Sequence, residues 1–327
     1  MKNIQKITLT TLAIVSMNMH LNASSLVIDT GETKKKVTSS AVLPVQLEVK
    51  KGTGTISSVL TGAIQKVGPG AAVLSGANPG LVSLDIHEGS LSVAGTSNLG
   101  ASTAVTISGA GSQLQATGAL DVRSLALSAA GSVLNSGATT LASATLGGNV
   151  LSTNSVGGTT ITSLVPDATG SIANADALTL VGATAVAQPI NVSGAGATSI
   201  TGPLNSTGGF VSSASAVSLG VAGQLPTGTN AISGSSSLSL AVSGAAAAIR
   251  SSTNFTDSAQ FNVPASVTPG SIAGAVNFAN GTTAMFNGSV DSGILGTGGS
   301  LTFQPGSKIS VADGSTFSAP VTILTAS

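Results

Sequence analysis

The chain has 327 residues and no net charge, with charged residues at 7% where an ordinary globular domain carries about 25%, and it has no cysteine. That composition excludes a disulfide framework and thiolate metal sites. Its longest basic run, Lys34, Lys35 and Lys36, is balanced by Asp29 and Glu32 and reads as a solvated edge, so nucleic acid has no electrostatic footprint to meet.

The N-terminus reads as an address. Lys2 and Lys6 precede an apolar stretch from Ile7 to about Met19, and Ala23 then offers a small residue before Ser24 and Ser25. This order predicts a secretory signal peptide over residues 1–23, cleaved after Ala23. The apolar run is too short for a membrane-spanning helix, which needs about 20 residues. No other stretch of spanning length follows, so the mature chain is expected to be exported with no integral membrane segment.

Residues 24–52 are the most charged part of the chain. Within them Val45-Gln46-Leu47-Glu48-Val49-Lys50 alternates strictly, which predicts a strand with one buried face, and Pro44 suits its first position. Repeat arrays need an atypical polar end unit, so 24–52 is expected to be an N-terminal cap. From Thr53 onward short apolar pairs recur between Gly-centred turns, as in Val73-Leu74, Leu84-Asp85-Ile86, Leu91-Ser92-Val93, Val105-Thr106-Ile107 and Leu125-Ala126-Leu127. Gly109-Ala110-Gly111-Ser112 and Gly194-Ala195-Gly196 read as corners, because glycine accepts φ > 0. The one helix-tempting run, Ala245–Ile249, is short.

Disorder, the usual fate of Gly/Ser-rich chains, does not suit a mean hydropathy of +0.47. Nor does a conventional compact core suit 2% aromatics, with no Trp or Tyr and all seven Phe from Phe210 onward. Strands this short are stable when stacked turn on turn. At roughly 20–25 residues per turn and a spacing of about 4.8 Å, residues 53–327 would make roughly a dozen rungs and a rod on the order of 60 Å. The Phe-bearing pieces Val276-Asn277-Phe278, Met285-Phe286 and Leu301-Thr302-Phe303 predict a wider, better filled end of the same core.

A family comes into view at Ala63-Ile64-Gln65-Lys66-Val67-Gly68-Pro69-Gly70-Ala71-Ala72-Val73-Leu74-Ser75-Gly76-Ala77-Asn78, followed by Glu88-Gly89-Ser90-Leu91-Ser92-Val93 and Asn98-Leu99-Gly100. This stretch resembles the autotransporter-associated β-strand repeat of bacterial autotransporter passenger domains. Pro79-Gly80 stands where that pattern usually has Thr-Tyr-Thr-Gly, so its aromatic corner is missing. Gly299–Ser307 and Val321–Ala326 also look like late passenger segments. The resemblance implies an all-β, right-handed parallel β-helix (solenoid) over residues 53–327, displayed on or released from a Gram-negative-type cell. It also implies a C-terminal outer-membrane barrel with aromatic girdles, of which the sequence to Ser327 carries no sign. The translocator is therefore expected to lie elsewhere or to have been lost.

Chemistry has few candidates. Asp85-Ile86-His87-Glu88 would put Asp85 and His87 on one outward face if Ile86 points inward, yet a metal site needs three or four converging ligands. Asp121-Val122-Arg123 has the same alternation and is expected to form an exposed ion pair. Carbohydrate-active β-helices use two carboxylates about 5–9.5 Å apart, which acids this sparse do not suggest. No Gly-Gly-x-Gly-x-Asp repeat offers calcium sites, and Gly52-Thr53-Gly54 precedes no helix that would hold phosphate. Thr159-Thr160-Ile161-Thr162 exemplifies a hydroxyl pattern that either solvates an uncharged strand face or forms flat arrays for ice or glycans.

The expectation is thus an extracellular or cell-surface structural, adhesin-like passenger protein (periplasmic if no translocator serves it). It would not be an enzyme, and no catalytic, metal or cofactor residue is assigned. It would act by multivalent contact with glycans or proteins of host or bacterial surfaces. Self-association is also expected, because Ile323-Leu324 lies near a C-terminus with no obvious polar cap. The alternatives are a secreted polysaccharide- or ice-binding solenoid, and a truncated passenger fragment without function.

Overall fold

A computed structural model describes residues 25–28, 33–34, 44–57, 60–94, 99, 101–240, 247–264, 271–287, 295, 298–313 and 321–324. The expected signal peptide and Lys35–Lys36 lie outside the described residues, as does most of residues 24–43. Among the described residues there is no helix, and hence none long and apolar enough to cross a membrane.

The protein is an all-β parallel solenoid. Its 31 strands run from β1 (Ser25–Ile28) to β31 (Val321–Ile323), forming one 16-stranded and one 15-stranded sheet. The chain passes from one sheet to the other and back, and apart from β11 and the strands at either end each strand pairs in parallel with the strand one turn before and one turn after it. At about 4.8 Å per turn, the 15 strands of the second sheet set a rod length on the order of 70 Å.

Alternation explains why these residues make strands. β3 (Val45–Val49) buries Val45, Leu47 and Val49 while Gln46 and Glu48 stay part-exposed. Nearly every later strand repeats the pattern, as in β8 (Ser90–Val93), β12 (Ser124–Leu127) and β24 (Ser237–Leu240). Parallel register carries one turn's inward positions onto the next, so Leu91, Leu114 and Val133 stack in a column. The segment expected as a cap contributes ordinary members of the first sheet: β1 pairs with β3, and β3 with β5 (Thr61–Val67).

The cross-section has a third side. β14 (Thr139–Thr145) and β16 (Thr159–Val165) bend across a corner: their first halves continue to β18 (Leu178–Leu180) and their second halves pair back toward β12. Beyond them the third side shrinks to isolated bridges, Leu164 to Ala183 to Leu204 and later Ile249 to Ile272 to Leu295. These residues are buried, so the core stays closed although the hydrogen-bond ladder there is sparse.

Turn length varies along the rod. Gln46 bonds to Gln65 across 19 residues and Phe210 to Asn230 across 20, while one early turn, from Leu91 to Leu114, takes 23. Late in the chain Asn254 bonds to Asn277 across 23 residues, and Asn262 to Asn287 across 25. The wide turns are where the phenylalanines stack: Phe255, Phe278 and Phe303 form one inward column with ring centroids 5.1 and 4.5 Å apart, and Phe261 leans on Phe255, Phe278 and Phe286. The wider, better filled end read from the sequence is present.

Corners are built as the glycines suggested. Gly111 and Gly194 have φ of 75° and 105°. Gly109 is required for space instead, because a Cβ there would sit 1.6 Å from the His87 carbonyl oxygen one turn back. One column of left-handed corner residues runs Ala214, Gly234, Asp257, Gly281 and Gly306, and two of its members are not glycine.

Candidate functional site

The polar cluster singled out in the sequence sits on the outer face of the first sheet. Ile86 is fully buried at the end of β7 (Gly80–Ile86), which turns Asp85 and His87 outward together. They meet through a residue that the sequence did not single out. Ser108, just past β9 (Ala104–Ile107), donates to Asp85 Oδ1 at 2.5 Å, and its oxygen lies 3.2 Å from His87 Nδ1. On the other side Gln65 Nε2 donates to Asp85 Oδ2 at 3.0 Å, and Gln46 Nε2 donates to Gln65 Oε1 at 2.9 Å. A polar strip thus crosses four consecutive turns, positioned by the register Gln46 to Gln65 to Asp85.

Its geometry is that of a strap. In a hydrolytic triad the serine donates to histidine and histidine to the carboxylate. Here the serine lies in the middle and gives its proton to Asp85, so His87 acts as the donor to Ser108 and the hydroxyl is not primed by a base. Among the described residues no group of three or more His, Cys, Asp or Glu converges for a metal ion. Asp121 and Arg123 are both exposed, but the expected ion pair between them does not form. β11 (Leu120–Val122) ends at Val122, and the chain bends at Arg123 to enter β12, so the alternation that would have aligned the two side chains is broken.

Two cations do structural work that the sequence did not reveal. Lys66, on the inward phase of β5 between Leu47 and Ile86 of neighbouring turns, is fully buried. Its Nζ donates to the carbonyls of Val67 at 3.1 Å, Gly68 at 2.5 Å and Glu88 at 2.8 Å, tying one corner to the next. Burial lowers its pKa from 10.5 to about 8, against the opposing pull of the Glu88 carboxylate. Arg250 does a similar job on the third side, with Nε donating to Leu225 O at 2.9 Å and Nη2 to Leu204 O at 2.8 Å; partial burial lowers its pKa too. The available signal for Lys66 was its phase, one position past Gln65 and two past the buried Ile64.

The hydroxyl pattern separates into two populations. Thr159 is buried and donates to Ser155 Oγ, part of an internal chain in which Asn135 Nδ2 donates to Thr139 Oγ1 and Thr139 meets Ser155 Oγ at 3.0 Å. Thr160, its neighbour, faces out. Through parallel register it belongs to an external column of Thr140, Thr160, Thr179, Ser199, Ser218 and Ser239, one hydroxyl per turn. The column continues to Asn262. A second external column on the other sheet includes Asn254, Asn277 and Thr302, where Asn277 Nδ2 donates to Asn254 Oδ1 at 2.8 Å. These rows repeat one polar group per turn along the described surface. No protein-family model, no curated protein and no solved structure matches the chain.

Proposed function

We propose that the protein is an exported structural protein of the adhesin-like passenger type, working at or beyond the cell surface by many weak contacts rather than by catalysis. The observation that carries this reading is the external column from Thr140 to Ser239: six hydroxyls in unbroken register on a straight, rigid face. A hydroxyl offers one donor and two acceptor sites, so such a row suits surfaces rich in hydroxyls or amides, meaning glycans and proteins of bacterial or host cells. Each contact is worth little alone, and linkage along a rigid rod turns later contacts into intramolecular ones. The resemblance of residues 55–107 to the autotransporter repeat and the address over residues 1–23 support export.

A second reading, a secreted module for polysaccharide or ice, draws on the same column, whose regular spacing of about 4.8 Å suits a periodic ligand. The two readings share a test. Beads coated with the purified protein are scored for adhesion to bacterial and animal cells, alongside a glycan array and an ice-recrystallisation assay. Replacing Thr160 alone by Lys should change adhesion little, whereas the triple change Thr160→Lys, Ser199→Lys, Ser239→Lys should abolish it. A triple variant that adheres as well as the parent removes the column from the account. Protease shaving of intact cells, with the culture supernatant assayed beside it, tests display itself, and protein confined to the periplasm would contradict it.

A further inference from the structure

The last described turn exposes inward positions that are buried in the turns directly before it. Ile309 and Val311 of β30 (Lys308–Val311) continue the inward columns of Ala284 and Phe286, and Ile323 of β31 continues that of Phe303. Their predecessors are at most 1% exposed, yet Ile309, Val311 and Ile323 are 39%, 37% and 65% exposed. The backbone is open at the same place. Lys308 N donates back to Thr282 O, Ala312 N to Phe286 O and Leu324 N to Phe303 O. N–H groups alternate in direction along a parallel ladder, so those of Ile309, Val311, Val321 and Ile323 point toward a further turn. Among the described residues nothing pairs with this edge. An uncovered core and a row of unpaired donors are together a template for another β turn.

We propose that the occupant is the first turn of a second copy of this chain, stacked head to tail. This goes beyond the adhesive reading and does not rest on it. Three features favour a second copy. Among the described residues β1 and β2 (Thr33–Lys34) are each paired on one side only, one in each sheet, and so offer complementary edges sheet for sheet. The turn sizes match as well. The penultimate turn, from Ala284 to Ile309, is wide, but the last, from Leu301 to Val321, contracts to nearly the size of the first, from Ser25 to Gln46. A wide end would not meet such a start, whereas the contracted end does. The register also pairs Leu26 with Leu47 and Ile28 with Val49, so apolar residues of the first turn stand at the register positions of two buried ones.

A head-to-tail contact is heterologous, and the stacked solenoids share nearly one axis, so assembly gives an open series rather than a closed dimer. The test uses sedimentation velocity on the full chain and on variants blocked at one end. Ile309→Lys with Ile323→Lys blocks the C-terminal edge, and Leu26→Lys blocks the N-terminal edge. The parent should show a weight-average mass that at least doubles between low and high micromolar concentration. Each blocked variant should stay monomeric alone, and an equimolar mixture of the two should form dimers and nothing larger. Val311→Pro, which removes an edge donor but keeps an apolar side chain, should also be monomeric; an unchanged far-UV spectrum shows that the variants fold. A parent that is monomeric throughout overturns the proposal, meaning that the end is covered within one chain. A Leu26→Lys variant that dimerises alone also overturns it, in favour of a tail-to-tail contact.

Discussion

Between Gly131 and Leu240 the turns stay narrow, with partners on adjacent turns 19 to 21 residues apart, as in Gly196 to Ser215, Phe210 to Asn230 and Ser215 to Ser236. Their interior is laced with hydroxyls and carboxamides: Asn135, Thr139, Thr153, Ser155, Thr159, Asn174, Thr198 and Ser215 are all buried. Between Thr253 and Phe303 the separation grows to between 23 and 25 residues, as in Asn254 to Asn277 and Asn262 to Asn287. The inward positions there hold Phe255, Phe261, Phe278, Phe286 and Phe303. The difference follows from perimeter. A short turn encloses a narrow lumen filled mostly by Leu, Ile, Val and hydroxyls, with Phe210 its single buried ring, and small polar side chains are then close enough to bond one another and the corner carbonyls. Lengthening the turn separates the walls, and close packing then demands larger side chains. Aromatic rings supply that volume, and register stacks them one per turn.

The comparison can be broken first at its widest part. Phe278→Ala removes the centre of the stack and should cost about 3–5 kcal/mol, read as a shift in denaturant midpoint. The converse change tests the narrow part: Val133→Phe puts a ring into a short turn and should destabilise by about 1–3 kcal/mol through overpacking. The narrow lumen already holds one ring, Phe210, so a Val133→Phe variant as stable as the parent would show that short turns take rings freely and would remove perimeter from the explanation. Thr139→Val keeps the shape but strips the hydroxyl that joins Asn135 to Ser155. It should cost about 1–3 kcal/mol, because a buried donor is left without its partner. At the corner column, Ala214 has φ of 67° whereas Gly234 and Gly281 occupy equivalent places. Ala214→Gly should therefore stabilise by about 1 kcal/mol. Asp257→Gly gains less, because the Asp257 carboxylate accepts the Gly234 N–H at 3.2 Å.

The first turns add a pH dependence of their own. Burial pushes the Lys66 ammonium down to about 8 in the folded protein, against its ordinary value of 10.5 in the unfolded chain. Its burial penalty is therefore in full force below pH 8, where both states are charged, and relaxes as pH rises from about 8 to 10.5. The stability of the parent relative to Lys66→Met should increase over that window. A difference that stays flat would show that the three carbonyl contacts keep the ammonium at its ordinary pKa, and one that falls would show that they raise it.

Much of this was legible in the sequence for a simple reason. Pairs such as Leu91-Ser92-Val93 and Leu125-Ala126-Leu127 carry the two-residue alternation on their face, and glycines mark the corners. The late phenylalanines announced the wide end. What the sequence hid were the effects of phase and register. Lys66 would be taken as a surface residue by type, and only its place in the alternation puts it inside. Thr159 and Thr160 look alike, yet one is core and the other surface. Ser108 reaches Asp85 and His87 because the turn length happens to set it 21 residues after His87, beside it on the next turn. The Asp121–Arg123 pair failed because a corner falls between them. Spacing within a strand can be read from one segment, but pairing between turns needs every turn length in the stack.

The central claim is that one continuous solenoid changes its filling, and with it its local stability, where its turns widen. Native-state hydrogen exchange read peptide by peptide tests it most directly, because repeat arrays open locally rather than all at once. The account predicts that amides of Thr253–Phe255, Gln260–Val263, Ala275–Phe278 and Thr283–Phe286 exchange last, with the hydroxyl-laced turns from Gly131 to Leu240 opening earlier. Uniform protection along the rod, or slowest exchange in the narrow turns, would contradict it.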